Sequence, residues 1–220
     1  MSAQSALRDG NAANFDLIET LRWEPDTGFV RLERHLARLY SSAATLGFAC
    51  EPSDVGQALG KAVADAASPQ RVRLVLTRNG TAEAAVQPFV PLAANKIWRL
   101  RFARVRLDST DTLLAHKTTR REVYVRARAE HLVTQADEIL LMNERGEACE
   151  GTITNLFADF GDGLLTTPRL DCGLLPGILR RELLEQGRAV EAVISYDALK
   201  TARTIFVGNS LRGLIPAKLA

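Results

Sequence analysis

The order of apolar and polar residues divides the chain into segments of different period. Phe15 to Trp23 is rich in branched and aromatic residues and predicts a strand. Glu24-Pro25-Asp26-Thr27-Gly28 predicts a turn, and Phe29 to Leu32 the returning strand. From Glu33 onward Leu36, Leu39, Tyr40, Ala43, Ala44 and Leu46 follow helical spacing until Gly47 stops them. Ser53 is placed to cap a second helix running to about Ala67. Arg71 to Thr77 and Ala82 to Phe89 then alternate on either side of Asn79-Gly80, which predicts another hairpin. Prolines in Gln87-Pro88-Phe89-Val90-Pro91 disfavour both helix and ladder, so a linker falls there and divides the chain into domains 1–90 and 91–220.

The second half predicts strands around Trp98 to Leu107, Glu138 to Asn143, Thr152 to Phe160, Leu164 to Thr167, Glu191 to Ile194 and Thr204 to Gly208. Helices are expected near Thr119 to Val133 and Gly177 to Gln186. There is no internal repeat and no low-complexity segment.

Composition narrows the function. With 220 residues, 46% of them hydrophobic, the chain can bury a sizeable core. Its 28 basic and 26 acidic residues form no block of like charge, so nothing points to nucleic acid or an anionic membrane, and a small-molecule partner is expected. No apolar run approaches the length of a membrane span, and MSAQSALRDGNAAN lacks the apolar core of a signal peptide, so a cytoplasmic protein is expected. Cys50, Cys149 and Cys172 are odd in number and far apart, which suits reduced thiols better than a disulfide frame or a zinc site.

Four segments carry candidate chemistry. Only five residues are lysine, and Lys117 sits where an apolar segment meets a helix start, a setting that buries its stem and lowers its amine pKa. Glu150 opens Glu150-Gly151-Thr152-Ile153-Thr154-Asn155-Leu156-Phe157, where a carboxylate can pair with a pyridine nitrogen. Leu175-Pro176-Gly177-Ile178 has the form of a helix start whose unpaired amides would receive a phosphate. Val207-Gly208-Asn209-Ser210 ends a strand in a small polar turn that adds donors. An amine, an acid and a phosphate nest are the parts that pyridoxal 5'-phosphate requires. Each has an ordinary alternative: a boundary lysine with its head in water, a turn acid, a plain helix start, a plain turn.

In order and spacing these segments resemble the class IV, fold-type IV pyridoxal-phosphate enzymes, which include branched-chain and D-amino acid aminotransferases and aminodeoxychorismate lyase. The resemblance takes in Phe15 to Trp23, His35 to Ala43, Lys117, Glu150 to Phe157, Thr167-Pro168, Gly173 to Arg180 and Gly208-Asn209-Ser210. It implies an α+β fold with a small N-terminal domain and a larger C-terminal pseudo-barrel, and a homodimer. It also implies that Lys117 is the Schiff-base lysine and general acid/base, Glu150 the ring-nitrogen partner and Arg38 a phosphate clamp. Gly177 and Ile178 would supply backbone amides, and Asn209 with Ser210 would close the phosphate cup. The pattern departs from the family at two places. The tyrosine that many members carry five residues after the lysine is Glu122 here, with Tyr124 two positions on, and the leading strand is short.

In Ile18-Glu19-Thr20-Leu21-Arg22, Thr20 occupies a position where the lyase branch is similar in carrying threonine, and its hydroxyl would relay a proton as pyruvate leaves. Strand propensity alone would also place a threonine there. The expected activity is therefore that of a 4-amino-4-deoxychorismate lyase, with an aminotransferase for branched-chain or D-amino acids as the alternative. His116, Arg120 and Arg121 are candidates for the substrate's carboxylates.

Overall fold

A computed structural model describes residues 15–220; the polar N-terminus read above for a leader lies outside them. The chain divides into two compact units, one of residues 15–90 with 116–120, the other of 91–115 with 121–220.

In the first unit β1 (Leu17–Glu24), β2 (Gly28–Phe29), β3 (Gln70–Leu76) and β4 (Ala82–Pro88) form an antiparallel sheet in the order β2-β1-β3-β4. Helices α1 (Leu32–Leu46) and α2 (Pro52–Val63) cover it, α1 against β1 and α2 against β3 and β4. Leu39, Ala43, Leu46, Val55, Leu59, Val72, Leu74 and Leu76 are buried in this unit, so the helical and alternating patterns do mark its core. The returning strand is shorter than expected, at two residues. The second helix starts two residues earlier than a Ser53 cap requires: Glu51 is the N-cap and Pro52 opens the first turn, where its fixed φ and missing N–H carry no cost.

Residues 116–120 belong to this unit because they pair with the free half of β1. Leu17 bridges Thr118, Ile18 N donates to Lys117 O at 2.9 Å, and Thr119 N donates to Asp16 O at 2.9 Å. That pairing removes the first residues of the expected 119–133 helix, so α3 spans only Glu122–Ala129.

The second unit contains β5 (Trp98–Leu107), β6 (Glu138–Asn143), β7 (Ala148–Gly151), β8 (Asn155–Asp159), β9 (Leu165–Pro168), β10 (Ala189–Ala192), β11 (Thr204–Asn209) and β12 (Gly213–Leu219), with helices α4 (Ile178–Glu185) and α5 (Tyr196–Lys200). Its sheet runs β10-β9-β8-β11-β12-β5-β6-β7, and a further pairing of β7 with β8 closes six of the eight strands into a ring. The closing pair is Glu150 opposite Asn155. Leu100, Leu140, Leu156, Val207 and Ile215 fill one cluster of its core, and Ile139, Leu141, Cys149 and Leu174 another. The expected strand from Thr152 to Phe160 instead begins with a bend over 152–154, which separates β7 from β8. Among the described residues no helix is long and apolar enough to cross a membrane.

Candidate active site

In the first unit the pairing with β1 fixes the direction of Lys117. Opposed residues of an antiparallel pair share a face, and successive residues alternate. Lys117 stands opposite Ile18, so it leaves the sheet on the face of Ile18, Thr20 and Arg22. Glu19 points to the other face, where it meets α1. Thr20 and Lys117 therefore share the face that carries no helix, and Arg73 of β3 stands directly across from Thr20.

Arg38 donates from Nε and a terminal nitrogen to the two oxygens of Glu19, at 2.8 and 2.7 Å. His35 Nδ1 lies 2.7 Å from the same carboxylate. His35 and Arg38 are three residues apart on α1 and so share the helix face that meets Glu19; Glu19 and His35 are both 1% exposed. Burial alone raises the carboxyl pKa of Glu19, but the Arg38 guanidinium and His35 outweigh it and bring it down to about 2. Its folded value thus lies below its ordinary 4.5, so the associated stabilisation is complete above that pH and is lost as pH falls toward 2. The difference corresponds to about 3 kcal/mol. Urea titrations of the wild type and Glu19→Gln should differ by this order at neutral pH and converge near pH 2; a gap independent of pH would contradict the ion pair. His116 Nδ1 lies 2.9 Å from Ser42 Oγ, and burial lowers its pKa. Arg120 is exposed.

In the second unit Glu150 is no turn acid. It lies in β7, is 5% exposed, and accepts a hydrogen bond from Tyr124 Oη at 2.7 Å. The bend after it is held by Glu138, whose buried carboxylate accepts from the amides of Ile139, Thr152 and Ile153 and from the hydroxyls of Thr152 and Thr154. Those hydroxyls explain why two β-branched residues bend here instead of continuing a strand. Gly151 is required at the same place, because a Cβ on it would lie 2.8 Å from Glu138 Cδ. Arg121 donates to Thr152 O and packs over the Tyr124 ring, 4.7 Å from its centroid.

Asn155 brings the remaining segments together. It pairs with Glu150 across β7 and with Gly208 across β11, and its Nδ2 donates to Leu175 O at 3.0 Å. A Cβ on Gly177 would lie 1.7 Å from Asn155 Oδ1, so only glycine permits this approach. Gly177 is the N-cap of α4; no side chain caps the helix and its first turn carries no acid. Gly177 to Arg180 are buried. The first amides of a helix have no acceptor within it, and a buried, uncapped and acid-free helix start is a donor set matched to a phosphate. Ser210 is buried just beyond β11. The Asn209 side chain joins two loops, donating to Ile153 O at 3.1 Å and accepting from Arg212 N at 3.0 Å.

Each unit holds residues whose chemistry suits a part of pyridoxal phosphate: the first a half-buried lysine on the sheet face that carries no helix, the second a buried carboxylate and, one strand away from it, an uncapped helix start. Glu19, Glu138 and Asn155 are functional supports that the sequence reading did not single out. Their signal was faint: an acid inside one apolar strand, an acid opening a second, and an asparagine opening a third.

Residues 16–220 match the family described as amino-transferase class IV. A Schizosaccharomyces pombe protein named "Putative aminodeoxychorismate lyase" is 30% identical over 203 residues, covering 90% of this chain and 86% of its own. A crystal structure from Mesorhizobium loti, described as a "Putative amino-acid aminotransferase", is 66% identical with a TM-score of 0.93, covering 94% of this chain and 100% of that one. The 4-amino-4-deoxychorismate lyase of Pseudomonas aeruginosa is 27% identical with a TM-score of 0.80, covering 93% and 82%.

Proposed function

Because the chain belongs to the class IV aminotransferase family, whose members depend on pyridoxal phosphate, we propose that it is a 4-amino-4-deoxychorismate lyase releasing pyruvate and p-aminobenzoate. The observation that carries the choice is the common sheet face of Thr20 and Lys117. When bound, the cofactor supplies an aldehyde for the substrate's amine and a protonated ring that takes up electrons from the adjoining carbon. Lys117 Nζ removes the proton from the carbon bearing that amine. The Thr20 hydroxyl relays a proton to the methylene carbon of the departing enolpyruvyl group, whose C–O bond to the six-membered ring breaks as the ring becomes aromatic. Glu150 would hold the ring nitrogen, and Gly177, Ile178 and Ser210 would hold the phosphate, with Asn209 bracing the loops around it and Arg38, already engaged by Glu19, as a further clamp.

The S. pombe relative's name supports the lyase reading. The description of the Mesorhizobium loti structure favours the second reading, an aminotransferase that shares every cofactor contact and needs a 2-oxo acid to complete its cycle. Incubating the cofactor-loaded protein with 4-amino-4-deoxychorismate and no 2-oxo acid separates them. Pyruvate and p-aminobenzoate should appear in equal amounts over many turnovers. If neither forms while amino acids convert the cofactor to its amine form, the protein is an aminotransferase and the role given to Thr20 is wrong. The same reading includes a homodimer, which a monomeric mass in solution would overturn.

A further inference from the structure

The position five residues after Lys117 is held by Glu122, which is exposed, so α3 offers no tyrosine there. It offers one two residues later, and this tyrosine reaches a different group. Tyr124 Oη donates to Glu150 Oε1 at 2.7 Å. The phenol is a dependable donor: burial and the Glu150 carboxylate push its pKa well above the ordinary value. It is also held in place, since Arg121 stacks on its ring while bonding to Thr152 O, and the ring packs into the cluster of Ala127, Ile139 and Cys149. A phenylalanine would fill the same apolar space, so what the tyrosine adds is the hydroxyl on Glu150.

We propose that Tyr124 is a positioning residue that acts through Glu150 on the cofactor's ring nitrogen. The proposal rests on the reading of Glu150 as the partner of that nitrogen. A buried carboxylate without donors holds its charge poorly and competes for the proton it should leave on the ring. The Tyr124 hydroxyl stabilises the ionised carboxylate and fixes its rotamer, so the proton stays on the ring nitrogen. A hydrogen bond to a charged group is strong enough to be read in binding, where it corresponds to about a tenfold change.

The test compares wild type, Tyr124→Phe and Glu150→Gln for affinity toward pyridoxal phosphate and toward its analogue with carbon in place of the ring nitrogen, each followed by the cofactor's absorbance. Tyr124→Phe should bind pyridoxal phosphate about tenfold more weakly. It should bind the carbon analogue as tightly as wild type does. Equal losses for both ligands, or no loss for either, overturn the proposal and leave Tyr124 a packing residue. Wild-type affinity and absorbance in Glu150→Gln would overturn the ring-nitrogen reading itself, and the proposal with it.

Discussion

Lys117→Ala is expected to abolish covalent attachment of the cofactor while leaving the fold in place. The two effects separate because the residue contributes to structure through its backbone, with Ile18 N donating to its carbonyl at 2.9 Å, and alanine keeps that bond. Its side chain is half-buried, so truncation removes methylene contacts but opens no deep cavity. Turnover should fall by roughly 10²- to 10⁴-fold from the loss of proton transfer alone. Borohydride reduction of the loaded wild type should fix the cofactor on the peptide that contains Lys117, and the variant should take up none. The alternatives are few. Of the other four lysines, Lys96 pairs with Asp137 at 3.1 Å and Lys200 with Asp197 at 2.7 Å, the latter pair raising the lysine's pKa and so keeping it protonated. A reduced adduct on Lys61, Lys96, Lys200 or Lys218 would sink the assignment.

How much of this was legible in the sequence depends on the range of the interactions involved. The β1 strand, α1 and the β3–β4 hairpin could be read because their periodicity is local and Gly47 and Asn79-Gly80 punctuate it. The strand β12 was not read because it contains Pro216, which argues against a strand with neighbours on both sides, yet β12 lies between β11 and β5. The 152–154 bend was unreadable for a different reason. Thr152 and Thr154 favour a strand on propensity, and what overrides it is Glu138, fourteen to sixteen residues away, whose carboxylate takes their hydroxyls. Likewise the spacing of His35 and Arg38 shows one helix face, but only strand register reveals that Glu19, and not Thr20, points to it.

The same limit explains Asn155, inside the run from Glu150 to Phe157, whose neighbours come from two distant segments, Leu175 to Gly177 and Gly208. It makes Gly177→Ala the most informative substitution in the second unit. The added Cβ would lie 1.7 Å from Asn155 Oδ1 and 2.9 Å from its Cγ, so rotating the terminal amide does not relieve the clash. The side chain must move as a whole, giving up its 3.0 Å bond to Leu175 O in a site where water has little access. Overpacking and a lost hydrogen bond together should cost about 2 to 4 kcal/mol of stability. The functional consequence follows from what Gly177 begins: displacing it tilts the first amides of α4, which are the proposed phosphate donors. Affinity for pyridoxal phosphate should therefore fall by at least about tenfold, the worth of one charge-assisted hydrogen bond. Affinity for pyridoxal, which has the aldehyde and ring nitrogen but no phosphate, should change by much less. Equal losses for the two ligands would mean that Gly177 shapes the whole ring closure at Glu150 and Asn155, and that the phosphate is held elsewhere.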